Sequence, residues 1–332
     1  MAETLRIATY DVELSQRGPG LLYGAIVKND PQVLAVQQVI AANRPDILLM
    51  TGFDYDADLV ALSAFADGLA SLGLTYPHRL ALRPNTGMAT GLDLDGDGLL
   101  GGPGDAQGWG RFSGAGGMAI LSRHPIDTTA AQDFSAMLWR DLPDARLPAG
   151  MAVDAAAIQR LSSTAHWDVP VNAPGGTIHL LVFAATTPVF DGPEDRNGLR
   201  NADEIGFWRI YLDGKLPWQP PADFVILGLA NLDPVKGSGR RGAIRALLSD
   251  PRLQDPAPVS GGGGGADTAD FPEPGDPVKP GPGNLRLDYV LPSASLPLTA
   301  SGVYWPLPAD AGAAVAAVAS RHHLVWVDIT RP

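Results

Sequence analysis

The run Asp93-Leu94-Asp95-Gly96-Asp97-Gly98 places three carboxylates on alternate residues, with glycine where the chain would bend. That resembles the opening of a calcium loop, in which alternating acids converge on one hard cation. The twelfth position, where a bidentate Glu would complete the ligand set, is Gly104, and Asp105 follows it. Calcium held over 93–105 and an acidic, glycine-rich surface loop are both readings of this run. The histidines are the other candidates. His322 and His323 are adjacent, so in extended chain they face opposite sides. His166 could approach the rim of a site and touch substrate, or be a hydrogen-bonded sheet histidine. His179 alternates with Leu180 and reads as packing. Arg196 lies in the charged, turn-rich run 191–201, where it could reach a phosphate or close a salt bridge. The five glycines at 261–265 are not a phosphate cradle, because they lack the strand, loop and Lys of a nucleotide motif.

Short apolar runs must position these groups. LRIATYDV, DILLMTGF, GMAILS, TIHLLVFAAT, DFVILGL, LRLDYVL and HLVWVDI are each bounded by Gly, Pro or Asp, as buried strands ending in loops. Asp30-Pro31 predicts a helix over 31–43, with Val33, Val36, Val39 and Ile40 on one face. Asp56 can cap a helix over 57–72 that Gly73 ends. Further helices are expected over 201–213 and 242–249. The runs 163–172 and 177–186 should pair as a hairpin around 173–176. Alternating strands and helices with antiparallel pairs give an α/β chain with mixed sheets.

Composition narrows the function. The chain of 332 residues, 45% hydrophobic, can bury a large core in one domain. Lys plus Arg number 24 against 36 Asp plus Glu, a net charge of −12 that disfavours duplex nucleic acid as a partner. With no cysteine, thiolate metal sites and disulfides are excluded. No run approaches the ~20 apolar residues of a membrane span. The N-terminus lacks a signal pattern and enters a strand almost at once. That suits a mature periplasmic or secreted chain, the location preferred here, and equally an intact cytoplasmic start. Between 256 and 284, 15 of 29 residues are Gly or Pro, so a flexible insertion without regular structure is expected within the single domain.

Six stretches carry a resemblance: ATYDV (8–12), DILLMTGFDYD (46–56), GMAILSRHPI (117–126), LLVFAATTPVFDG (180–192), VILGLANLDP (225–234) and SRHHLVWVDI (320–329). In this order the chain resembles the endonuclease/exonuclease/phosphatase superfamily. DGPEDRNG (191–198), HWDVP (166–170) and RLDYVLPS (286–293) are similar to one bacterial branch of it. The resemblance implies a four-layer sandwich, two packed mixed β-sheets flanked by helices. It also implies phosphoester hydrolysis with Mg²⁺ or Mn²⁺, in which metal neutralises phosphate charge and a His acts as acid/base.

Position by position, the resemblance gives Asp11 for a metal-contacting Asn and Gly52 for the principal metal-binding Glu. Asp54 and Asp56 are nearby carboxylates that could compensate. Ala184 replaces a phosphate-contacting His and Leu229 a water-orienting Asp, while Asn231 keeps a phosphate-contacting amide. His322 keeps the acid/base position, with Asp288 to orient it. Arg321 stands where a carboxylate is expected, within reach of substrate, and its charge should disfavour imidazolium. One lost acid/base group typically removes ~10²–10⁴ in rate. The expectation is therefore a family fold with a degraded site that binds a ligand or partner, the ligand a phosphorylated small molecule or phosphodiester. The alternative is a working metal-dependent phosphodiesterase or phosphatase with a rearranged metal site.

Overall fold

The computed structural model describes residues 3–271 and 281–331. In chain order the elements are β1 (Glu3–Asp11), α1 (Leu21–Val27), α2 (Pro31–Asn43), β2 (Ile47–Phe53), α3 (Val60–Ser71), β3 (His78–Leu80) and β4 (Gly117–Ser122). There follow β5 (Gln132–Asp133), α4 (Val153–Ile158), β6 (Ala165–Ala173), β7 (Gly176–Ala184), α5 (Arg196–Leu212), β8 (Phe224–Leu229) and α6 (Gly242–Leu248). The chain closes through β9 (Ala269–Phe271), β10 (Gly283–Leu285), β11 (Asp288–Pro292), β12 (Leu298–Val303), α7 (Ala313–Ala319) and β13 (Val325–Arg331).

One sheet has the order β12-β13-β1-β2-β4-β3 and the other β11-β8-β7-β6-β5. Both are mixed: β1 is parallel to β2 and antiparallel to β13, and β7 is parallel to β8 and antiparallel to β6. Because side chains alternate along a strand, each apolar run feeds two layers. Ile7, Leu49 and Ile120 of the first sheet share a core with Trp167, Val182 and Leu227 of the second. Tyr10, Leu48 and Met50 face the other way and pack on Val36 of α2 and Phe65 of α3. Leu181, Phe183 and Ile226 are covered by Ile205 and Trp208 of α5 and Ile244 of α6. The result is helix, sheet, sheet, helix, as the resemblance implies.

Local chemistry sets the element ends. The Asp30 carboxylate accepts from the Gln32 N–H at 2.9 Å, with Pro31 opening α2. The hairpin pairs Ala173 with Gly176, leaving a two-residue turn at Pro174-Gly175. Three expectations are corrected. Helix α3 begins at Val60, after a Leu59 with φ 53, although Asp56 still accepts from the Val60 and Ala61 N–H groups. Helix α5 begins at Arg196, ahead of 201, because the Asp191 carboxylate takes the Asn197 N–H. The 256–284 tract has regular structure at Ala269–Phe271 and Gly283–Leu285, which pair antiparallel. The six residues 266–271 contain neither Gly nor Pro, so a strand can form there. Residues 272–280 of that tract lie outside the described residues. No helix among the described residues is long and apolar enough to cross a membrane.

Candidate functional site

The strand exits of both sheets converge near His322. Across β7, β8 and β11 the register aligns Ala184 with Leu229 and Leu229 with Asp288, one row of the second sheet. Ala184 and Leu229 belong to the core between the sheets, so two of the row's three side chains contribute only apolar surface. Asp288 is the polar member. Its Oδ2 contacts His322 Nδ1 at 2.8 Å and accepts from Thr268 Oγ1 at 2.8 Å. Its Oδ1 is buried with no hydrogen-bond partner.

His322 is itself only 4% exposed. Residues 268–271 run alongside it: Asp270 N–H donates to Arg321 O, and His323 N–H to Thr268 O. The Phe271 ring stands edge-on to the imidazole at 5.5 Å. Burial disfavours the imidazolium, but the charges of Asp288 and Asp11 outweigh that penalty and raise its pKa to about 9. The expectation that Arg321 would disfavour this cation is thereby overturned. Arg321 is turned onto Glu13, donating from Nε at 2.9 Å and from Nη2 to Oε1, with its backbone N–H on Oε2 at 2.7 Å. An ion pair of this kind cancels the guanidinium charge at its source.

Asp11 ends β1 and is 8% exposed; burial pushes its pKa up to about 6, although His322 pulls it down. Its Oδ1 accepts from the Glu13 N–H at 3.1 Å. Gly52 has φ 69, and a Cβ built there would run into Asp11 Oδ1 and the backbone of Glu13. The space in which a Glu side chain at 52 would start is therefore occupied by the Asp11 carboxylate, and the left-handed backbone adds strain for any side chain.

The compensating carboxylates suggested by sequence are corrected by their partners. Asp54 is buried and accepts from Ser15 Oγ, the Gln16 N–H and the Gly116 N–H, each at 2.8 Å. Asp56 caps α3. Neither joins Asp11 in a ligand set. Among the described residues, Asp93, Asp95 and Asp97 are the one group of three or more His, Asp or Glu residues whose ligand atoms lie within 4.8 Å of one another. The acids around His322 therefore do not fit a three-ligand metal site as arranged. Asn231 adopts φ 53 and donates from Nδ2 to Ala185 O at 2.8 Å, half-buried at the exit of β8.

His166 is withdrawn from any rim: it is 0% exposed, with Nδ1 on Ser162 Oγ and Nε2 on Glu204 O. Burial pushes its pKa down to about 4, and it packs against Phe183, Phe207 and Trp208. His323 stacks on Trp305 at 3.8 Å, away from His322. Arg196 reaches Leu94 O and Gln159 Oε1, tying α5 to the acidic loop.

Two features were not read from sequence. Glu13 shares the field of His322, and its only signal was its place two residues after Asp11. The second is a cleft of about 980 Å³, walled by Asp93–Gly96, residues 148–152 and Thr186–Asn197, with Arg200 lining it. Thr186 lies two residues beyond the end of β7, so the cleft opens at the strand-exit end of the second sheet. Its walls come from separate loops, which no local pattern joins.

A sequence profile of the Endonuclease/Exonuclease/phosphatase family matches residues 21–322. The chain belongs to the endonuclease/exonuclease/phosphatase family. Solved structures agree on its fold. A family protein from Beutenbergia cavernae superposes with a TM-score of 0.59 at 18% identity, covering 98% of this chain and 71% of that one. Another from Leptotrichia buccalis gives 0.57 at 15%, covering 98% and 99%. A sphingomyelinase C from Streptomyces griseocarneus gives 0.55 at 17%, also covering 98% and 99%. No curated protein matches the chain by sequence. As an endonuclease/exonuclease/phosphatase family member it carries the sandwich throughout.

Proposed function

We propose that this family member has lost efficient metal-dependent phosphoester hydrolysis at the His322 edge and acts by binding a phosphorylated small molecule or phosphodiester. One observation carries the reading: every carboxylate at that edge already has a partner within the fold. Glu13 is held by Arg321, Asp288 by His322 and Thr268, Asp54 by Ser15 and two N–H groups, and Asp11 by the Glu13 N–H. Leu229 and Ala184 contribute no polar atom. Freeing Asp288 means breaking a buried charge pair, at a cost of several kcal/mol, and freeing Asp54 takes three donors from a buried carboxylate.

The test is hydrolysis of bis(4-nitrophenyl) phosphate with Mg²⁺ or Mn²⁺, run beside His322→Ala. The expected result is no turnover above the variant. Metal-dependent turnover that disappears in His322→Ala refutes the proposal.

A second reading, hydrolysis through a rearranged metal site, has one observation in its favour. Asp11 fills the place of the missing Gly52 side chain, and Asp288 Oδ1 is a buried carboxylate oxygen without a partner. Glu13 could complete such a set only after release from Arg321. On that reading Arg321→Ala gains metal-dependent turnover; on ours it gains none. For the separate triad Asp93, Asp95 and Asp97, the ion we propose is calcium, by its all-oxygen donors. A calcium-dependent rise in melting temperature that is lost in Asp95→Asn is the expected result.

A further inference from the structure

We propose that the cleft beside β7 binds a singly charged oxyanion with an aromatic or apolar body, seating the anion on Arg200 and the body between Trp109 and Phe190. The inference rests on the reading just given, since it locates binding beside the His322 edge instead of at it.

The charge argument starts from Arg200. Arg200, Arg286 and Arg331 are the buried arginines among the described residues. Arg286 pairs with Asp255 and Arg331 with Asp223, whereas the buried Glu204 supports the Arg200 cation through its charge without making an ion-pair contact with it. Its Nε donates to Leu161 O, and its Nη2 to the carbonyls of Gln107, Arg160 and Ser162. Those bonds fix the guanidinium and leave Nη1 without an acceptor among the described residues, on a residue that lines the cleft. Burial brings its pKa down to about 10, so it remains a cation at neutral pH. A preorganised, desolvated guanidinium favours carboxylate or phosphate oxygen over water.

The body of the ligand is read from the rim. Phe190 is 90% exposed and Trp109 65% exposed, and both line this cleft. Phe190 also has φ 69, a left-handed backbone that costs a bulky side chain of order 1 kcal/mol or more. A strained, outward aromatic has no use in the packing of this fold. Ala149, Met151 and Ala152 continue the apolar wall. The number of charges follows from the other walls. Asp93, Asp95, Asp191 and Glu194 line the cleft beside Arg196 and Arg200, so with no metal on the acidic loop the acids outnumber the bases, and each negative charge beyond the one seated on Arg200 meets repulsion.

The head group is a phosphodiester or a carboxylate, and probes that each carry two phenyl rings separate them. Titration calorimetry on the full chain, in EDTA, uses diphenyl phosphate, diphenylacetate and the uncharged diphenylmethanol. At least one anion is expected to bind about tenfold or more tighter than the alcohol, and whichever anion is tighter names the head group. Arg200→Lys should weaken the anion about tenfold, since a point charge replaces the fork. Arg200→Lys could also loosen the loops that Arg200 joins, so the rim is tested separately. Trp109→Ala and Phe190→Asn should each weaken binding about fivefold or more without unfolding the chain. Equal binding of alcohol and anions, no binding of either anion up to millimolar concentration, or rim variants that bind like wild type would overturn the proposal. Hydrolysis that depends on His322 would instead refute the preceding reading and leave these binding results standing.

Discussion

The edge at His322 and the cleft behind Thr186 lie side by side at the end of one sheet, yet their polar groups are arranged oppositely. Around His322 the charges face one another: Asp288 with the imidazole, Glu13 with Arg321, and Asp11 buried between them. Around the cleft Arg200 makes no ion pair and keeps one nitrogen without an acceptor among the described residues, and two aromatics stand in solvent. A set of groups that satisfy each other stabilises the fold, whereas groups left unmatched are available to a ligand. That difference is the ground for placing the proposed ligand in the cleft, since the family match covers both places equally.

The sharpest way to break this comparison is to disturb the first region. Asp288→Ala leaves a buried histidine facing Asp11 without its nearest anion. Breaking a buried pair from one side should cost about 3–5 kcal/mol, read by urea unfolding. A loss below about 1 kcal/mol would mean that the pair is not a stabilising unit. Gly52→Glu is expected to be next, at about 2–4 kcal/mol, because the new side chain meets Asp11 and takes a left-handed backbone. It should restore no metal-dependent turnover. Turnover in this variant would show that the edge needed one carboxylate only.

Titration gives a smaller effect with a definite sign. His322 has its pKa raised from 6.5 to about 9 in the folded chain. Folding therefore favours its cation, and this stabilisation is complete below about pH 6.5 and lost as pH rises through about 9. The loss should be about 3 kcal/mol by linkage, and absent in His322→Gln. Stability that stays flat for wild type from pH 6 to 9.5, or falls equally in the variant, contradicts the charge arrangement described here.

Sequence revealed much of the fold and part of the edge. Strands such as TIHLLVFAAT and DFVILGL were legible because both faces are buried, which demands continuous apolar runs. The pairing of Asp288 with His322 was legible through the family order of RLDYV and SRHH. The rest was not, because it depends on partners distant in sequence. Asp54 looked available as a ligand until Ser15 and Gly116 were seen on it. Arg321 looked like a threat to imidazolium until Glu13, 308 positions away, was seen to hold it. Arg200 gave no signal at all: an arginine inside a helical run reads as a solvated face, and only the fold shows it buried beside a cleft.

The last prediction concerns the smallest energy and separates the two regions most cleanly. Phe190 is exposed and left-handed, so it contributes little packing and some strain. Asn adopts that backbone more readily and is at home in water. Phe190→Asn should leave stability unchanged or raise it by about 0.5–1 kcal/mol, read from the urea midpoint at constant slope. Substitutions at the His322 edge go the other way, because each removes a partner. A residue whose replacement stabilises the fold while weakening anion binding is retained for contact with something outside the chain. If Phe190→Asn instead costs more than about 1 kcal/mol, Phe190 belongs to the packing after all, and the contrast between the two regions loses its clearest member.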